Sequence, residues 1–149
     1  YSAKRELGGG VDIDLIHEWD YIRFLIGSPE KVCCLKGKKS DLEIDSDDIA
    51  VYIAEYPDRM VELHLDYFGR VPLRRLELFS RNEVIEADLL RQRITYKRAG
   101  EDIDLIEDRD SYQRKELIHF FKIVNGEIPN DNSIENGCRT LRITRGVVK

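Results

Sequence analysis

The chain has 149 residues, 42% of them hydrophobic and 36% charged, with a formal net charge of −5. That size and composition fit one globular domain and exclude a disordered or membrane-spanning chain, since no apolar run approaches the roughly 20 residues of a spanning helix. A pI near 5.3 lacks the basic face of a dedicated nucleic-acid binder, and three cysteines, two of them adjacent, make neither a disulfide framework nor a zinc knuckle.

The opening YSAKREL has no signal-peptide core and no initiator methionine, so the chain is expected to be a piece of a longer one, in a reducing cytoplasm. Gly8, Gly9 and Gly10 form a turn. A helix is expected from about Asp12 to Ile26, with Leu15, Trp19, Ile22 and Ile26 as its buried stripe and Gly27-Ser28-Pro29 as its stop.

From Lys31 the pattern becomes short β-rich runs: KVCCLKGKK, DDIAVYIAEY, RMVELHLDYFG, LRRLELFSR, NEVIEADLL and RQRITYKR, with DIDLIED as a possible seventh. Val61, Leu63 and Leu65 alternate with Glu62, His64 and Asp66, the mark of a strand with one buried face. Breaks such as EYPDRM and FGRVP are short, which favours an antiparallel meander. Cys33 and Cys34 point to opposite faces, so one of them is a small core residue. The acidic DSDD at 45–48 and the basic clusters at Lys36, Lys38 and Lys39 and at Arg70, Arg74 and Arg75 read as solvated turns and edges.

Two helices close the chain. Asp110 and Gln113 could form a capping box for a helix through Val124 with a stripe of Leu117, Phe120, Phe121 and Val124, and Ser133 could cap the last helix. The expected architecture is α+β: an open, mainly antiparallel sheet of about six strands, with the N-terminal helix and two C-terminal helices on one face.

On a continuous helix Asp14, His17 and Tyr21 share a stripe, with Glu18 and Asp20 beside it. A histidine there can exchange a proton near neutral pH, and a carboxylate one turn away can fix its tautomer. His17-Glu18 lacks the second histidine of a zinc-protease signature, so Asp14, His17 and Asp20 are only a weak metal reading, and no metal is expected. His64 and His119 read as surface or packing residues. The glycine run is no dinucleotide fingerprint, because it follows no strand and lacks the G-x-G-x-x-G spacing.

GGGVDIDLIHEWDYIRFLIGSPEKV resembles the opening of the C-terminal domain of the Gfo/Idh/MocA oxidoreductases (glucose–fructose oxidoreductase and inositol dehydrogenase), and SYQRKELIHFFKIVNGEIPNDNSIENGCRTLRIT is similar to that family's closing helices. The resemblance covers nearly the whole chain. It implies that residues 1–149 are a single substrate-binding and dimerising domain whose N-terminal Rossmann partner, binding NAD or NADP, lies outside this chain. On its own the chain would then be inactive. It further implies oxidation or reduction of a CH–OH carbon on a carbohydrate-like small molecule, a sugar, sugar nucleotide or cyclitol. His17 matches the catalytic histidine and Asp14 the preceding aspartate, although two residues separate them here instead of the common three. Asp20 and Tyr21 are candidate substrate contacts, and Gly8, Gly9 and Gly10 a possible cofactor contact. Other partners follow the same reading: no nucleic acid, no membrane, and a homo-oligomer through the sheet face. The rival reading is a non-catalytic dimerisation or regulatory module of the same fold.

Overall fold

The computed structural model describes residues 1–147, which fall into two units. One comprises Tyr1–Gly69 together with the C-terminal segment from Asp131; the other is Arg70–Asn130.

In the first unit a 3₁₀ turn, Arg5–Leu7, precedes the glycine run, and two helices follow, α1 (Val11–Asp14) and α2 (Ile16–Ile26). The expected single helix is broken at Leu15, whose φ of −102° and ψ of 25° leave the helical region. Strands β1 (Lys31–Gly37), β2 (Ile49–Glu55) and β3 (Met60–Asp66) form an antiparallel sheet, sheet A. Asp66 then accepts the Phe68 amide (2.9 Å) and the Gly69 amide, which turns the chain out of the sheet.

Alternation decides which side of sheet A is core. Ala50, Tyr52 and Ala54 of β2 and Leu65 of β3 are buried, whereas Ile53 and Met60 on the other side are exposed. Cys34 packs against the core and Cys33 is exposed. Trp19 and Ile22 of α2, with Val11, fill the layer above the sheet, and the Trp19 indole meets Tyr52 edge-on, with ring centroids 5.5 Å apart. Burying Trp19 completely contributes about 3 kcal/mol, the upper end for one large side chain.

The last helix, α4 (Ile134–Thr144), is capped as expected, Ser133 Oγ accepting the Asn136 amide at 3.3 Å. It lies beside α2 through Arg23, whose Nη1 donates to Thr140 Oγ1 (2.6 Å) and to the Asn136 carbonyl (3.0 Å). Ile143 completes the core, and the buried Tyr52 hydroxyl donates to the Thr144 carbonyl at 3.3 Å.

The second unit is a four-stranded antiparallel sheet, sheet B, made of β4 (Arg75–Phe79), β5 (Val84–Asp88), β6 (Arg93–Tyr96) and β7 (Glu101–Asp104), followed by α3 (Ser111–Val124). Register places Leu76 opposite Ala87, Leu78 opposite Ile85, and Ile94 opposite both Ala87 and Ile103, so these residues share one apolar face. The other face carries charges paired across strands, among them Arg93 with Asp104 at 2.6 Å and Lys97 with Glu86 at 3.1 Å.

The α+β class and the seven strand segments agree with the sequence reading, but they form two sheets of three and four strands instead of one of six. Helices α2 and α4 cover sheet A, as expected for a one-sided layer. In α3, of the second unit, no residue is buried, and Leu117, Phe120, Phe121 and Val124 are all more than half exposed. Periodicity identifies an apolar face without naming what covers it. The Asp110–Gln113 box is also absent. Asp110 has φ −102° and ψ 6°, outside the extended geometry of a cap, and makes no side-chain cap bond. Glu107 serves this helix start instead, accepting from Ser111 Oγ and Lys115 Nζ.

Candidate functional site

The acidic turn at 45–48 fastens the N-terminal segment and the start of α1, and is structural, not a solvated loop. Asp45 Oδ1 accepts the Arg5 amide (2.6 Å), Asp47 Oδ1 pairs with Arg5 Nη2 (2.6 Å), Ser46 Oγ donates to the Ser2 carbonyl (2.6 Å), and the Val11 amide donates to the Asp47 carbonyl (2.9 Å). Ser46 and Asp48 are fully buried. Asp48 accepts the amides of Lys39 (2.7 Å) and Ser40 (2.9 Å) and the Ser40 hydroxyl (2.6 Å), and it pairs with Lys38 at 3.2 Å. Burial alone would raise this carboxyl, but those bonds outweigh it and hold Asp48 far below the usual carboxylate range. Buried Asp12 is neutralised likewise by Lys36, 2.5 Å away. Two of the lysines read as a solvated cluster, Lys36 and Lys38, therefore have partners: they pair carboxylates that water cannot reach.

The glycine turn follows from the same packing. An atom in the Cβ position of Gly9 would lie 2.3 Å from the Ser2 carbonyl oxygen and 2.5 Å from that of Tyr1, while Gly8 has a φ of +81°. The Gly8 and Gly9 amides donate to the carbonyls of Arg5 and Lys4. These two amides are satisfied within the chain.

His17 stands half-exposed on the first turn of α2, with Nε2 3.0 Å from Glu18 Oε1. Glu18 itself is buried. Asp14 ends α1 and turns elsewhere: Tyr67 Oη donates to its Oδ2 at 2.5 Å, while its buried Oδ1 has no hydrogen bond of ordinary geometry, the hydroxyls of Ser2 and Tyr1 standing beside it. Burial raises the Asp14 carboxyl, yet these hydroxyls prevail and keep it ionised below its ordinary value. Burial, followed by the hydrogen bond to Asp14, pushes the Tyr67 phenol up. Asp20 is bound into the α2–α4 contact, accepting from Thr140 Oγ1 at 3.0 Å. Tyr21 packs partly buried against the core.

The break at Leu15 thus separates what a continuous helix would align. Asp14, His17, Asp20 and Tyr21 occupy different surroundings, and among the described residues no cluster of histidine, cysteine and acidic side chains is arranged to hold a metal. The carboxylate beside His17 is Glu18, its immediate neighbour in sequence. Tyr67, 53 residues from Asp14, carried no local signal; only its place just after an alternating strand could have marked it as facing the helices. His64 lies on the exposed side of sheet A, 3.0 Å from Asp66 Oδ2.

Comparison with solved structures gives the fold a context. The chain is similar to an oxidoreductase from Agrobacterium radiobacter in complex with NAD+, L-tartaric acid and magnesium (TM-score 0.77, 15% identity, 99% of this chain and 48% of that one). It is similar to the UDP-N-acetylglucosamine 3-dehydrogenase GnnA from Acidithiobacillus ferrooxidans (TM-score 0.75, 21% identity, 97% and 49%). An oxidoreductase from Thermotoga maritima also matches (TM-score 0.74, 20% identity, 90% and 40%). No family model and no curated protein matches the chain. The chain spans less than half the length of these solved structures and shares the fold of that part of them. The resemblance to the C-terminal domain of such oxidoreductases therefore holds at the level of fold. No helix among the described residues is long and apolar enough to cross a membrane.

Proposed function

We propose that this chain is the substrate-binding and catalytic half of an NAD(P)-dependent oxidoreductase acting on a CH–OH group of a sugar, sugar nucleotide or cyclitol. The carrying observation is the His17–Glu18 pair: an accessible imidazole backed by a buried carboxylate 3.0 Å away, at the start of a helix seated on a sheet. The structural likeness to a UDP-N-acetylglucosamine dehydrogenase supports the substrate class.

With Nε2–H donating to Glu18, the other ring nitrogen, Nδ1, is left as the base, a tautomer set by the hydrogen bond and not by a visible hydrogen. Nδ1 takes the proton of a substrate hydroxyl as the carbinol carbon is oxidised, and returns it in reduction. The negative carboxylate of Glu18 steadies the imidazolium that forms. Asp14, held ionised by Tyr67, orients the substrate or the start of α2, and Asp20 and Tyr21 contribute at most peripheral contacts. A nicotinamide bound by the other half of the parent protein would exchange the hydride; in the glycine turn the Gly8 and Gly9 amides are already used within the chain. The same reading makes the parent a cytoplasmic homo-oligomer that associates through a sheet face.

The test is made in the parent enzyme with a working sugar or cyclitol substrate. His17→Ala is expected to lower kcat by about 10²-fold or more, the usual worth of a general acid–base group. Unchanged turnover would remove His17 from the mechanism and favour the non-catalytic module.

A further inference from the structure

Where Ser28 follows the end of α2, a cavity of about 280 Å³ opens against the C-terminal half of α4. It is lined by Ser28, Arg139, Arg142, Ile143 and Val147, with no acidic residue among them. That volume is at the small end of ligand pockets, which run from roughly 300 Å³ upward. Arg139, Arg142 and Ile143 stand at i, i+3 and i+4, so one side of α4 supplies two cations and an apolar floor. Both arginines are exposed, and neither guanidinium makes a hydrogen bond or an ion pair among the described residues. Glu135, one turn before Arg139, attracts it only through space, its carboxylate being taken by its own amide and by the Ser133 hydroxyl.

The opposite wall is held in place. Ser28 Oγ accepts from Arg23 Nε at 3.3 Å, and Arg23, its side chain nearly buried, is itself fixed to α4 through Asn136 and Thr140. Tyr56 Oη donates to the Gly27 carbonyl at 3.2 Å, and the Glu30 amide donates to the Glu55 carbonyl at 2.7 Å. The loop on either side of Ser28 is thereby tied to the end of β2. With its oxygen accepting from Arg23, the Ser28 hydroxyl keeps its proton free to donate.

We propose that this cavity binds a small phosphate monoester. Two guanidiniums and a hydroxyl donor suit the three terminal oxygens of a phosphate, which arginine holds through paired N–H···O bonds. A phosphate dianion also matches the charge of two arginines, where a carboxylate supplies only half of it. Ile143 and Val147 receive the carbon skeleton that carries the phosphate. The site is separate from the chemistry proposed above: His17 lies on the first turn of α2, and the helix advances about 14 Å from there to Ile26. Neither reading depends on the other.

The test is calorimetric titration of the 149-residue chain with phenyl phosphate, a monoester that no carbohydrate site would select. At about 0.15 M salt, where charges off the site are largely screened, a Kd below about 1 mM is expected. Inorganic phosphate should bind about 10-fold more weakly, and phenol should not bind. Arg139→Gln and Arg142→Gln should each weaken phenyl phosphate about 10-fold, the worth of one charge-assisted contact, with thermal midpoints unchanged because neither side chain has a partner to lose. Arg145→Gln removes a charge from the same helix end without lining the cavity, and should leave the affinity within about 2-fold. Absence of saturable binding by the wild-type chain overturns the inference. So does a loss on Arg145→Gln equal to that on Arg142→Gln, which would make the region a diffuse basic surface. Inorganic phosphate binding as tightly as phenyl phosphate overturns the monoester in favour of the free anion.

Discussion

Neighbouring side chains on a helix diverge by about 100°, so a carboxylate ordinarily reaches a helical histidine from three or four residues away. At α2 the two meet across adjacent positions because Glu18 is drawn into the buried layer while His17 stays outside, and the ring turns inward to it. The pair divides labour, one group accessible and one desolvated. In the parent enzyme Glu18→Gln is expected to lower kcat with KM nearly unchanged, and by less than His17→Ala; an equal rise in KM would make Glu18 a substrate contact instead. Tyr67 acts at the neighbouring carboxylate. Tyr67→Phe leaves Asp14 Oδ2 without its 2.5 Å donor, and a hydrogen bond to a charged group of this burial is worth about 2 kcal/mol. Urea unfolding should show a lower midpoint with the same slope. His17 and Asp14 could be named as candidates from the sequence because they sit in one short motif. Tyr67 was not, since a contact across 53 residues is made by tertiary packing and leaves no periodic trace.

At the scale of elements, the strands were legible where alternation was strong. Val61, Leu63 and Leu65 turn to the core and His64 outward, as the alternation required, because a two-residue period leaves only one face to bury. The acidic turn was misread for the opposite reason: four polar residues in a row look solvated until their partners, Arg5, Ser40 and Lys38, arrive from other segments. The glycine turn it fastens offers a sharper test, since Gly8 and Gly9 are required on different grounds. Gly8 needs a left-handed backbone and has open space where a side chain would go, whereas a side chain at Gly9 would strike the backbone of Tyr1 and Ser2. Gly8→Ala should cost about 1 kcal/mol and Gly8→Asn less, because asparagine tolerates that conformation. Gly9→Ala and Gly9→Asn should both cost about 2 kcal/mol or more, as overpacking against fixed atoms does. Equal tolerance of asparagine at both positions in thermal unfolding would refute the distinction.

For the whole molecule, the sequence reading placed all strands in one sheet because short turns give pairing between neighbours but not where pairing stops. It stops between β3 and β4, at the FGRVP segment, and two sheets result. The first unit carries buried charge, and that sets how it responds to acid. Asp48 in the folded chain is held far below the roughly 3.9 of a free aspartate, so between those values the unfolded chain binds the extra proton. Stability therefore rises with pH: the contribution is complete above about pH 5 and is lost as pH falls through the unfolded value toward the folded one. Asp14 acts in the same direction. The depressed carboxyls of Asp104 and Glu107 are on the surface, and about 0.5 M salt screens them while leaving the buried groups largely untouched. Under that salt, Asp48→Asn should destabilise the chain by about 3 kcal/mol at pH 7, since Lys38 loses its buried counter-charge. It should also flatten the dependence of unfolding free energy on pH between about 5 and 2. A variant that keeps the wild-type slope would show that the acid response comes from the remaining carboxylates and that Asp48 is merely hydrogen-bonded.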